Sequence, residues 1–405
     1  MRYVFWLIAM SCSLCIKAEQ TQSETLSQKS VTQLPIKIVF THENRSFADL
    51  LLPFTKQSGI ELDIHWIDQA DLKSRLIRIN QLSDAPDVII CPSDNIGLSS
   101  YANFSKIPLP WLDSNFNPEA LSTVTLDKHI YGIPLVNGNH LLMYYNKSLI
   151  RSPASDWSEL LAQANKLPNN VELIGWSFME MYWFVPFITA FGDAPMVNNW
   201  PNLDTESVQH ALQFVWQLRN TNVVDSVCPY DCVEEKFSNG KLAYTINGVW
   251  AYKKFSSVLG NDLGIAALPQ IKGQPMRAYY SSIAATFPNN SLQGEKREAL
   301  KLLSNYLQSK EFQRQLWYNL RDIPARPDVY EEVRSKANNN EALLFDTLKN
   351  TLPMSSHKNM SIVWEALLKG FTRFGSGKWD AQKTTQYMQS TAEKAIRPLT
   401  HQKDQ

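Results

Sequence analysis

Isolated acids and amides recur beside aromatic side chains at junctions where an extended run gives way to a helical one. Asp94 follows Cys91-Pro92, Glu180 opens Glu180-Met181-Tyr182-Trp183, and Asn247-Gly248 leads into Val249-Trp250. In α/β proteins such junctions lie at the C-terminal ends of strands, where ligands bind. A flat aromatic face can cover the C–H face of a sugar ring while acids and amides take its hydroxyls. Signatures of bond-breaking chemistry are missing: there is no GxSxG, no HExxH and no phosphate-binding Gly-rich loop. The seven histidines are scattered, with no pair at metal-ligand spacing. The doublets Glu234-Glu235 and Glu331-Glu332 lie in charged helical stretches and read as solvated helix faces.

The elements that must hold these residues alternate. Leu34–Phe40 reads as a strand, 46–58 as a helix stopped by Gly59, and Ile60–Ile67 as a second strand. A helix over 71–82 and a continuous apolar strand at 87–91 follow. This β-α-β-α-β order implies a parallel sheet with helices on both faces. Two further short strands are expected at 132–136 and 141–145. Helices are expected at 156–167, capped by Asp156, and at 207–219 and 295–307.

The chain begins with Met1-Arg2, an apolar run from Tyr3 to Ile16, then Lys17-Ala18. The run is short for a bilayer span, which takes about 20 residues, and reads as a secretory signal cut near Ala18. Residues 19–33 are polar and read as a flexible leader. Cys12 and Cys15 match a lipid-attachment signal poorly, so a lipid anchor is not expected. Of the five cysteines, Cys228 and Cys232 are four apart and expected to form a disulfide in an oxidising compartment, with no histidine close by to suggest a metal. Cys91, ending an apolar run, is expected to be a buried thiol. Lys+Arg and Asp+Glu both number 39, which argues against a nucleic-acid binder. Twelve tryptophans have to fill a core or line a ligand face.

Four blocks in fixed order resemble the maltose-binding protein family, the extracellular solute-binding proteins of carbohydrate ABC transporters. They are Tyr131-Gly-Ile-Pro134 with Tyr144-Tyr-Asn-Lys147 and Trp157-Ser-Glu-Leu160; Phe237 to Ala243 running into Thr245 to Ala251; Leu263 to Pro269 with Lys272 to Pro275; and Met360 to Trp364. The resemblance covers about residues 34–398. It implies a class II type periplasmic binding protein fold: two α/β lobes, each a mixed or parallel sheet flanked by helices, with the ligand between them. Lobe 1 would hold 34–136 and 267–310, and lobe 2 would hold 139–264 and 315–398. Hinge crossings would fall near 136–140, 264–269 and 308–315.

The resemblance also implies a function. The protein would capture a sugar or oligosaccharide without catalysis, close on it and deliver it to membrane permease subunits. It would work as a periplasmic monomer, with no cofactor, no metal and no nucleic acid. Trp250 and Trp364 fall on the family's two stacking tryptophans, and Glu180, Tyr182 and Trp183 on a segment that hydrogen-bonds and stacks on the sugar. Asp94 falls on an acid that takes sugar hydroxyls, and Asn139 near another cleft acid. Two positions depart: Cys91 stands where maltose binders carry a stacking tryptophan, and Asn95 where they carry an arginine. The loop Thr41 to Arg45 has no clear match. The same fold could instead serve a sensor partner, or bind a polyamine or a glycerol-phosphate diester. An exported carbohydrate-active enzyme would need two carboxylates across the cleft, and Asp94 with Glu180 is the pair available.

Overall fold

The computed structural model describes residues 34–401 apart from Ser83 and Asn115, with side chains described as far as residue 397. The signal and leader expected at 1–18 and 19–33 lie outside the described residues. Strands β1 (Ile36–Phe40), β2 (Leu62–Trp66) and β3 (Val88–Pro92) are parallel, in the spatial order β2-β1-β3. Their connections carry the helices Leu52–Ser58 and Gln69–Arg78. The first stops at Gly59, whose φ of 72° suits a residue without a side chain. The helix expected at 46–58 is split. A 3-10 segment, Arg45–Leu51, precedes the α-helix, whose first turn holds Pro53, where the missing N–H costs no bond.

A short hairpin of β4 (Thr125–Leu126) and β5 (His129–Ile130) leads into β6 (Gly132–Asn146). The two short strands expected here are one continuous strand of 15 residues. Between them, Asn137-Gly138-Asn139 has the composition of a turn; Gly138 takes φ of 78° and the ladder continues past register shifts. Next come β7 (Glu172–Gly175), a hairpin of β8 (Met196–Val197) and β9 (Trp200–Pro201), then β10 (Leu242–Gly248), β11 (Leu263–Ala266), β12 (Tyr279–Thr286) and β13 (Leu352–Pro353).

The strand order is β2-β1-β3-β12-β6-β10-β7, with β11 added to β6 and β13 to β12. The first half of β6 pairs with β12 and the second half with β10 and β11. One strand thus joins two half-sheets with separate cores. On the first side, Ile38, Phe47, Ile90, Leu135, Phe287 and Phe312 pack together. On the second side, Met143, Trp157, Trp176, Phe187 and Phe371 form one core, and Tyr144, Phe237, Phe255 and Phe345 another. Among the described residues no helix is long and apolar enough to cross a membrane.

Candidate functional site

Each of the three junctions singled out in the sequence is a strand end. β3 passes into the 3-10 turn Ser93–Leu98 with Asp94 in its first turn. The helix Met181–Ala190, N-capped by Glu180, follows β7. β10 passes into the 3-10 turn Val249–Ala251, which carries Trp250. Trp364 comes from elsewhere, on the helix Asn359–Gly375. The start of that helix is pressed on the Asp94 turn, where a Cβ on Gly97 would lie 2.9 Å from the Cα of Lys358.

Tyr182 is the centre of the aromatic cluster. Its ring centroid lies 6.4 Å from Trp250, 6.4 Å from Trp364 and 6.0 Å from Trp183, within the range of favourable ring pairs. Its hydroxyl sits between two strands, within 2.5 Å of the Asn139 carbonyl in β6 and 2.8 Å of the Tyr279 carbonyl in β12. Asn139 donates its side-chain amide to Ser281 Oγ at 3.0 Å. Tyr182 therefore ties the aromatic cluster to the place where the half-sheets meet. Trp183 is 8 % exposed and donates its indole N–H to the Ile246 carbonyl at 2.8 Å, with its ring edge-on to Trp250. It backs Trp250. Gly248 lets Trp250 fold over the strand end, since a Cβ there would come 2.1 Å from the indole ring.

Asp94 accepts a hydrogen bond from the Trp364 indole and lies 3.3 Å from the Asn95 amide nitrogen. Burial pushes its carboxyl up to about 6, against the pull of these donors and the backbone amides. Glu180 is solvent-facing, yet lost hydration, and then the charge of Asp68, raise its carboxyl above the ordinary value. Cys91 is 1 % exposed among Leu72, Leu76, Ile89, Ala102 and Phe104, and burial pushes its thiol up.

Trp250 also lines a cavity of about 550 Å³, a size typical of small-molecule sites. Tyr230, Asp231 and Glu234 share its wall, and Glu43, Arg45, Trp66 and Asp68 line it from β1 and β2. A relay fixes the Trp250 wall. The Trp250 indole donates to Tyr230 Oη at 2.9 Å, Tyr230 donates to Glu234 at 2.8 Å, and Lys254 pairs with Glu234 at 2.6 Å. Glu234 is 6 % exposed. The solvated face expected for it is wrong, because a tyrosine and a lysine replace its water. Glu332 does behave as a surface acid, paired with Arg314 and Lys336. Cys228 and Cys232 form the expected disulfide, bracketing Tyr230 at the start of the helix Tyr230–Ser238.

The opposite wall is fixed as firmly. The Trp66 indole donates to the His42 carbonyl at 3.1 Å, and the Arg45 guanidinium lies 4.0 Å from the Trp66 ring centroid. His42 forms a buried pair with Asp322 at 2.9 Å. Burial works against a charged imidazole, but the Asp322 charge and hydrogen bond outweigh it and raise the His42 pKa. Lost hydration, then the charge of Glu234 across the cavity, raises the Glu43 carboxyl. Trp66 and Tyr230 were not singled out in the sequence, and Glu234 was read there as a solvated helix face. Trp66 was findable, as the last residue of an alternating strand; Tyr230 and Glu234 carry no comparable mark.

With this geometry in hand, the profile of the bacterial extracellular solute-binding proteins matches residues 50–343. The chain belongs to that family, as its motif blocks imply, and has the two-lobed α/β fold. It is similar to the maltooligosaccharide ABC transporter solute-binding lipoprotein of Streptococcus pneumoniae R6, 24% identical over 350 residues, 81% of each chain. Maltodextrin-binding protein MdxE of Bacillus subtilis is 22% identical over 323 residues, 74% of this chain and 75% of that one. Among solved structures, the maltose/maltodextrin-binding domain MalE from Bdellovibrio bacteriovorus bound to maltotriose matches with a TM-score of 0.82 at 25% identity. That match covers 90% of this chain and 100% of the other.

Proposed function

We propose that this protein is the sugar-capturing component of an ABC importer, working outside the cytoplasmic membrane and without catalysis. It holds an oligosaccharide in the cleft between its lobes and closes on it for delivery to permease subunits. The observation that carries this reading is the convergence of Trp250, Tyr182 and Trp364 beside Asp94 at strand ends. Aromatic faces backed by a few polar groups suit a ring with an apolar face and a hydroxylated rim. The maltooligosaccharide and maltodextrin binders among its relatives support the ligand class. In this reading Trp250 and Trp364 stack, Asp94, Asn139 and Glu180 face hydroxyls, Tyr182 joins the site to the hinge, and Trp183 supports Trp250. The first lobe takes β1 to β3, the start of β6 and β12, and the second lobe takes the rest of β6 with β7, β10 and β11.

A thermal-shift titration of the purified protein with maltotriose tests this. A ligand at 100 times its Kd adds about 2.7 kcal/mol to folding stability, so the melting point rises. No shift with maltotriose or with any of a panel of neutral oligosaccharides rejects the reading. A cationic solute is the second reading, favoured by Glu43, Asp68 and Asp231 on one cavity and opposed there by Arg45 and Lys253. Spermidine in the same screen separates the two, since only that reading expects a shift with it.

A further inference from the structure

We propose that the first-lobe platform for the ligand is Trp66, and that one neutral pyranose unit of the oligosaccharide is held between Trp66 and Trp250, beside the β1 and β2 ends, next to the unit that meets Trp364 and Asp94. This rests on the sugar-binding reading and adds where the sugar sits.

The end of β3 offers no ring face. Cys91 is buried in an apolar cluster, and the nearby Asp94 already accepts the Trp364 indole. Across the sheet, the half-buried Trp66 faces the cavity of about 550 Å³, and Trp250 lines the same cavity. Both indole N–H groups are used, one on the His42 carbonyl and the other on the Tyr230 hydroxyl. The Arg45 guanidinium covers one face of Trp66, 4.0 Å from the ring centroid, so what the two tryptophans have left for a ligand is the carbon surface of Trp250 and of Trp66 that Arg45 does not cover. A ring whose C–H faces are apolar matches two such surfaces.

The rim of the cavity matches the edge of the same ring. Glu43, Asp68 and Asp231 bring carboxylate acceptors for hydroxyl protons, and Lys253 brings a donor for hydroxyl oxygens. Four acids and three bases line the cavity and nearly balance, which suits a neutral ring. The Trp66 wall is also rigid. Its indole is bound to the carbonyl of His42, whose imidazole is clamped by Asp322 in a different part of the chain. A ligand meeting this wall does not have to order it first, which saves binding entropy.

The test compares the wild-type protein with Trp66→Ala, Trp66→Phe and Cys91→Ala, using calorimetric titration with maltotriose. Trp66→Ala is expected to weaken binding by about tenfold or more. Trp66→Phe, which keeps a ring face, should recover most of that loss, and Cys91→Ala should bind like the wild type. If Trp66→Ala fails to fold, the indole N–H resonance of Trp66, assigned by its loss in Trp66→Phe, is followed in the wild type. It should shift on adding maltotriose. Wild-type binding with unchanged affinity in Trp66→Ala, or with a Trp66 resonance that does not move, overturns the proposal. If the wild type binds no neutral oligosaccharide, the sugar reading fails, and this proposal falls with it.

Discussion

The two sides of the proposed ligand site are built on different plans. The proposed second-lobe side is an aromatic cluster, Tyr182, Trp183, Trp250 and Trp364, with rings packed on rings and on a deep core, and Trp250 is its member on the cavity. The proposed first-lobe side is mostly polar: Glu43, Arg45 and Asp68 on the cavity with Trp66 as the aromatic member, and Asp94 apart from it at the end of β3. Aromatic faces removed from water supply affinity in proportion to area, whereas charged rims select among ligands more than they hold them. The contrast implies that a ligand is anchored by the second lobe and inspected by the first.

The largest effect should come from the anchor. Trp250→Ala is expected to weaken maltotriose binding by about thirtyfold or more, roughly 2 kcal/mol, measured by calorimetry. If Trp250 were only core, the mutant would lose several degrees of apo melting temperature while binding normally. That result would erase the contrast between the walls.

Gly248→Ala sharpens the same point without touching the indole itself. The new methyl group collides with the Trp250 ring, at 2.1 Å in the unrelaxed structure. The ring has to move, at an overpacking cost of about 1–3 kcal/mol. Loss of both stability and maltotriose affinity is expected from paired denaturation and titration curves. Unchanged affinity would mean that the seating of the ring is unimportant.

On the first-lobe wall the expected effect is electrostatic. Asp94 titrates near 6 in the folded protein, above its ordinary 3.8. Between those values the native state holds more proton than the unfolded chain, so this group makes stability fall as pH rises through about 4 to 6. Asp94→Asn should flatten that part of the stability profile in urea denaturation at stepped pH. An unaltered slope would show that the carboxyl is not held above its ordinary value.

The smallest effect belongs to the disulfide. Replacing Cys228 and Cys232 by serine should cost about 2 kcal/mol of stability. It should change maltotriose affinity by no more than about threefold, because Tyr230 is also held by Glu234 and Trp250.

The second-lobe wall was far more legible in the sequence than the first. Trp250 announces itself because Asn247-Gly248 ends an apolar strand, and Tyr182 because a polar capping position precedes an apolar helix. Both are local signals. The cavity depends on distant parts of the chain: Trp66 and Trp250 line one cavity only after the half-sheets are joined. A crossing is expected at 136–140, but Asn137-Gly138-Asn139 has the composition of a turn, whereas the ladder to β12 runs through Asn137 and Asn139 and skips Gly138. Glu234 misled for the same reason. Helical charge patterning reports a solvated face, and nothing local shows that Tyr230 and Lys254 cover it.

The central claim is that one sugar draws the two walls together, and small-angle X-ray scattering with and without saturating maltotriose tests it most directly. The account predicts a smaller radius of gyration with the sugar bound, because contacts to both lobes favour the closed state. A radius of gyration unchanged at saturation would contradict it.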